Sequence, residues 1–303
     1  MNLATPLIVF SCLAYSVASL SKPQLIEDSR GQLIKFPQNA KRIASTSLAG
    51  DEILLEILKE THQLNRLVAI STLADNDNYS NIANEAKQIK GRAGRELESL
   101  INLRPDLIFL ASYNQPAMID RLRKSRITTF VLGGFNSFDQ IKKNISDIGN
   151  IIGAHEAAQK IISNFDSTLA AFKKSAPAKK YSLLNFSTSS TLSGKNTTFD
   201  NIIEAAGATN LANKLKIEGW SKISVESLST LNPDYIVAIG EANQKDQIFT
   251  QISQTPGYRH MQAVKNKKII LVDGRKLLAV SHHVLEATAQ IQASLLEYEK
   301  KHK

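Results

Sequence analysis

Three aromatic residues, two arginines and a histidine pair stand out as side chains able to hold a small molecule. Tyr79 lies in the turn-rich stretch STLADNDNYSN, and Arg92 and Arg95 lie on either side of Gly94. Tyr113 follows an apolar run, Trp220 is the single tryptophan, and His282 and His283 are adjacent. Aromatic faces with one or two guanidiniums suit a flat, partly anionic chelate, held by apolar burial, cation–π contact and charge pairing. Each also has a plainer role. Trp220 can plug a core, the tyrosines can stand in exposed loops, and the arginines can be surface charges. Adjacent histidines on a loop point in different directions, so one of the pair is the candidate for ligand contact. Iron or haem iron takes His or Tyr as an axial ligand.

The same inventory argues against catalysis. No G-x-S-x-G elbow, Walker A loop or G-x-G-x-x-G after a strand occurs. GRAGRE (residues 91–96) has Gly-x-x-Gly spacing with arginine at two positions and reads as a turn. Asp51 and Glu52 are neighbours on a helix and diverge rather than forming a working carboxylate pair. The histidines at 62, 155, 260, 282, 283 and 302 lack metal-ligand spacing apart from the adjacent pair. A bare zinc or manganese receptor would carry a fuller ligand set. No catalytic residue, resident metal or cofactor is assigned.

The elements that must position these residues repeat along the chain. LESLINLRPDLIFLAS (residues 97–112) and VESLSTLNPDYIVAIG (residues 225–240) share Glu-Ser-Leu, a Leu, Pro-Asp and a β-like apolar run. Glu98 and Glu226, like Pro105 and Pro233, stand 128 positions apart. Each copy reads as a short helix stopped by proline and feeding a buried strand, Leu107–Ala111 or Tyr235–Ile239. Around the first copy, the pattern gives a strand Arg42–Ser45, a helix Gly50–Lys59, a helix Pro116–Lys124 and a strand Thr128–Leu132. Around the second it gives a strand Tyr181–Phe186, helices Thr198–Ala206 and Gln247–Ser253, and a strand Lys268–Val272. Alternating β and α elements imply parallel sheets in two α/β lobes.

Between the lobes the periodicity is helical. Ser137 and Gln140 are spaced for a capping box, and Ile141, Ile145, Ile148 and Ile152 follow in phase until Gly153. A second helix runs from His155 to about Lys174, a length of roughly 30 Å. One stiff helix joining two lobes limits hinge motion. The chain accordingly divides into a signal peptide (1–19), an N-terminal lobe (20–152), a linker helix (153–177) and a C-terminal lobe (178–303). The apolar stretch Pro6–Ala18 is short for a membrane span and ends in Val17-Ala18-Ser19, small residues suited to signal-peptidase cleavage near Ser19. The only cysteine, Cys12, falls inside it, so the mature chain holds no disulfide.

With this layout the chain resembles the substrate-binding proteins of ABC importers for iron–siderophores, haem and cobalamin. QLIEDSRGQLIKFPQNAKRIAS (residues 24–45) is similar to that family's opening hairpin, and TSLAGDEILLEI (residues 46–57) to its first helix. The paired Glu-Ser-Leu motifs are the most specific match, and VSHHVLEATAQI (residues 280–291) fits the last helix. The resemblance implies a ligand cleft between the lobes, lined by Tyr79, Arg92, Arg95, Tyr113, Trp220, His282 and His283. It implies one docking glutamate per lobe, Glu98 and Glu226, facing arginines of a membrane permease served by an ATPase. It also implies a monomeric periplasmic carrier that closes little on its ligand, and not an enzyme. The expected ligand is a ferric siderophore or similar chelate, with cobalamin or another corrinoid as the alternative. Haem ranks lower, because the family's haem binders often place a tyrosine in the loop where this chain reads QIKGRAGRELE.

The net charge of +9 comes from scattered Lys and Arg, apart from the tail Lys300-Lys301-His302-Lys303. With no RNA- or DNA-binding motif beside it, this reads as a solvated basic surface and not a nucleic-acid interface.

Overall fold

A computed structural model describes residues 25–37, 40–94 and 97–301. The segment expected to be a signal peptide (1–19), with Cys12, and Arg95 lie outside the described residues.

The chain opens with an antiparallel hairpin, β1 (Leu25–Glu27) and β2 (Leu33–Lys35). The first lobe then runs β3 (Ile43–Ser45), α1 (Leu48–Glu60), β4 (Leu67–Ser71), α2 (Ala83–Ala86) and β5 (Gly91–Ala93). It continues through α3 (Leu97–Asn102), β6 (Leu107–Ala111), α4 (Pro116–Lys124), β7 (Thr128–Leu132) and α5 (Phe138–Ile152). Its sheet is parallel throughout, in the order β5-β4-β3-β6-β7. The long helix α6 (His155–Lys174) follows.

The second lobe begins with β8 (Ser182–Asn185), β9 (Thr191–Ser193), α7 (Thr198–Ala205), β10 (Thr209–Asn210), β11 (Trp220–Lys222) and α8 (Val225–Ser229). Next come β12 (Tyr235–Ile239), α9 (Lys245–Gln254), α10 (Gln262–Lys265), β13 (Ile269–Val272), α11 (Gly274–Leu277) and α12 (Val284–Lys301). Its main sheet is also parallel, ordered β10-β8-β12-β13, with β9 and β11 as a separate antiparallel pair.

The repeated motif does the same structural work twice. Asp106 accepts the backbone amides of Lys41 at 2.7 Å and Arg42 at 3.1 Å, tying the start of β6 to the approach to β3. Asp234 accepts the Ser182 amide and hydroxyl, both at 2.8 Å, tying the start of β12 to β8. The strands that follow are buried on both faces, as helix-covered parallel strands must be. Leu107 and Phe109 face one core and Ile108 and Leu110 the other, just as Tyr235 and Val237 oppose Ile236 and Ala238.

One core runs continuously from the first lobe, through α5, α6 and α12, into the second. Helix α6 buries Ala157, Ala158, Ile161 and Phe165 in it. Gly149 lets α5 and α6 cross closely: a Cβ there would sit 2.3 Å from the Ala158 Cβ. Gly153 ends α5 in the left-handed region, at φ 73°. The expected capping box is half formed. Ser137 accepts the Gln140 amide at 3.3 Å, while Gln140 reaches one residue further back, to the Asn136 amide at 2.8 Å.

Candidate functional site

Segments leaving the carboxyl ends of β3, β4 and β6 meet those leaving β12 and β13 at the junction of the lobes. This is the crevice in which open parallel sheets hold ligands. Two cavities open there and share Tyr79 and Leu278. The first, about 290 Å³, is mostly apolar, with Leu48, Leu73 and Tyr113 on one side and Leu278, Ala279 and Val280 on the other. The second, about 480 Å³, is polar, lined by Asp77, Glu241, Asp273, Arg275 and a row of carboxamides.

Local turns set the two tyrosines. Asn76 accepts the Asn78 amide at 2.9 Å and the Tyr79 amide at 3.0 Å, presenting Tyr79 at 50% exposure. Asn114 accepts the Ala111 amide at 2.7 Å and the Thr46 hydroxyl at 3.0 Å, fixing the turn that carries Tyr113. Tyr113 is 63% exposed and leans on Phe135, with ring centroids 5.6 Å apart. Large apolar side chains left open together, with Leu73, Ile239 and Leu278 beside them, mark a surface shaped for a partner molecule.

The floor of the cleft is a buried carboxylate. Glu52, 1% exposed, accepts the Asn81 amide at 3.1 Å and the Asn81 side chain at 2.9 Å. Its second oxygen accepts the Ser281 hydroxyl from the other lobe. Asn81 also donates to the Arg275 carbonyl at 3.0 Å, adding a second link between the lobes. Asp51 points elsewhere, accepting the Ser71 amide and hydroxyl, and burial pushes its carboxyl up to about 7.

Several sequence candidates are placed differently. Arg92 is a clamp and not a free cation: Nε and Nη2 grip Asp75 at 2.5 and 2.6 Å. Its remaining donors go to the carbonyls of Ile89, Gly91 and Ala86, so all five N–H groups are used inside the lobe. Trp220 is 55% exposed on β11, so it plugs no core, and it lines neither cavity. The histidine rings do not diverge but stack, with centroids 4.2 Å apart and planes tilted by 34°. His283 meets Glu286 at 2.9 Å, and Glu286 also holds Lys276 at 2.7 Å. His282 has a buried Nδ1 without a partner, and burial with its neighbour His283 pushes it down to about 3. Neither histidine lines the cavities.

Glu98 and Glu226 are exposed in the first turns of α3 and α8. Glu226 is held below the usual carboxylate range by its own backbone amide and the Ser224 hydroxyl, so it is charged. Among the described residues no group of three His, Cys, Asp or Glu side chains could hold a metal ion.

Sequence reading missed Leu73, Glu241, Asp273, Arg275 and Leu278. The signal for one of them was present: Tyr113 and Glu241 stand 128 positions apart, the offset of the repeat. Both leave the end of a repeated strand and enter the cleft.

Residues 43–275 match the model of one protein family, described as periplasmic binding protein. The chain belongs to the periplasmic binding protein family. It is similar to an uncharacterized ABC transporter substrate-binding lipoprotein, YvrC of Bacillus subtilis, at 23% identity over 90% of this chain and 85% of that protein. It is 24% identical to a vitamin B12-binding protein of Yersinia pestis, over 60% of this chain and 65% of that protein. Its fold is that of a possible iron-binding, periplasmic solute-binding protein of Staphylococcus epidermidis. The two share a TM-score of 0.70 and 22% identity, over 85% of this chain and 99% of the other. The expected architecture, two parallel-sheet α/β lobes joined by a long helix, is the one observed.

Proposed function

We propose that this chain is the extracytoplasmic solute-binding component of an ABC importer. It captures a ferric siderophore or a similar metal chelate between its lobes and hands it to a membrane permease. The observation that carries the reading is the two-part cleft: an aromatic and apolar half for the body of a chelate, continuous with a hydrogen-bonding half. A corrinoid is the second reading, favoured by the carboxamide row and by the likeness to a vitamin B12-binding protein. The core that runs through α6 and α12 supports recognition with little closure.

Glu98 and Glu226 are the docking residues of this reading. One exposed carboxylate per lobe, each at the start of a repeated helix, sets the docking orientation and encounter rate on a basic permease surface. The test is cellular uptake of labelled ferric hydroxamate and cyanocobalamin with the Glu98→Ala, Glu226→Ala double variant. Uptake falls to the level of cells lacking the protein, at normal expression. Wild-type uptake by the double variant rejects the docking role.

A further inference from the structure

We propose, resting on the solute-binding reading, that the cleft selects by charge. It takes neutral or cationic, hydrogen-bond-rich complexes and rejects anionic chelates of the same size. Apart from Tyr79, the ionisable groups on the polar cavity are three carboxylates, Asp77, Glu241 and Asp273, against one guanidinium, Arg275. That guanidinium is already engaged. Its Nη2 meets Asp273 at 2.6 Å and its Nε meets both Asp273 oxygens at 3.1 Å. Asp77 and Glu241 lie close enough to act on Arg275 as well. What remains at the cavity is a net negative charge, three carboxylates against one guanidinium that Asp273 already grips, set against an incoming carboxylate or catecholate.

The other half of the cleft does not reverse this. Glu52 is the one ionisable group on the apolar cavity other than its tyrosines, and both its oxygens are in hydrogen bonds. The neighbouring cations stand elsewhere: Lys276 pairs with Glu286, Arg92 pairs with Asp75, and Lys245, next to Gln244 in sequence, lines neither cavity. Gln244, Gln247 and Gln251 add carboxamides, which bring both donors and acceptors to the wall. Such a wall suits amides, hydroxyls and an ammonium group.

The whole chain carries +9, so its long-range field favours anions. The negative pit therefore discriminates at close range, where its carboxylates act on a bound solute more strongly than the distant, screened surface charges. Far-field attraction brings many solutes near, and the local carboxylates decide which enter.

The test uses two matched series in which only charge changes. One is ferrioxamine B with its free ammonium, its neutral N-acetyl form and its N-succinyl form bearing a carboxylate. The other is cyanocobalamin and its monocarboxylic acid, with one propionamide hydrolysed. Calorimetric titration of the wild-type protein is expected to show the carboxylate member of the binding series weaker than the neutral member by roughly tenfold or more. The gap narrows in the Asp77→Asn, Glu241→Gln variant, whose changed residues are exposed and leave the fold intact. Equal or tighter binding of the carboxylate members overturns the charge selection and leaves the solute-binding reading standing. Absence of binding by every member of both series overturns that reading and the charge selection with it.

Discussion

Glu52 and Ser281, 229 residues apart in sequence, share a hydrogen bond in the floor of the cleft. Both are buried, one from each lobe. The bond and the Asn81 link beside it hold the walls in register before any ligand arrives.

Removing either partner should loosen that junction. Glu52→Ala leaves the Ser281 hydroxyl buried without its acceptor and takes from the Asn81 side chain one of its two acceptors, at about 2–4 kcal/mol of stability. Ser281→Ala removes one bond to the carboxylate and costs about 1–3 kcal/mol. Urea unfolding of the two variants reads both values. Wild-type stability in Glu52→Ala would show that the junction is held by packing alone.

Two buried groups should make stability depend on pH in opposite senses. Asp51 is raised to about 7, so its contribution is full below 3.8 and is lost as pH rises through 7. His282 is lowered to about 3, so its contribution is full above 6.5 and is lost as pH falls towards 3. Between pH 5 and 7 they offset each other. His282→Gln removes one side of that balance. The variant should gain about 2 kcal/mol, relative to wild type, on going from pH 7 to pH 5. Unfolding curves at the two pH values check this, and parallel behaviour of variant and wild type would refute it.

Arg92 is predicted to matter for the fold and not for ligand charge. Its five donors bind a carboxylate and three carbonyls in a planar fork that lysine cannot reproduce. Arg92→Lys should therefore lose about 1–2 kcal/mol, nearly as much as Arg92→Ala. Full rescue by lysine in thermal unfolding would show that charge alone is at work.

Much of the architecture was legible because strong local signals agreed. Proline and Pro-Asp punctuation set β6 and β12 at the expected residues, and the apolar phase of α6 set His155–Lys174. Short elements were not legible. β5 is Gly-Arg-Ala, three residues without a β-like pattern, and its strand character comes from pairing with Ala69–Ser71 on β4. The role of Arg92 was hidden for the same reason, since Asp75 is brought to it only when β4 and β5 align. Half the site could be read from loops after strands, which gave Tyr79 and Tyr113. The other half, Glu241, Asp273 and Arg275, consists of ordinary surface residue types whose meaning appears only across the lobe junction.

The cleft at Tyr79 and Tyr113 is the proposed solute site. The most direct measurement is calorimetric titration of the purified mature protein with ferrioxamine B and cyanocobalamin, beside the Tyr79→Ala, Tyr113→Ala variant. Both tyrosines are exposed, so the variant should keep its stability to within about 0.5 kcal/mol per substitution. Saturable one-to-one binding of one probe by the wild-type protein is expected, weakened by roughly tenfold or more in the variant. Binding that the double variant leaves unchanged, or no binding of either probe, would contradict it.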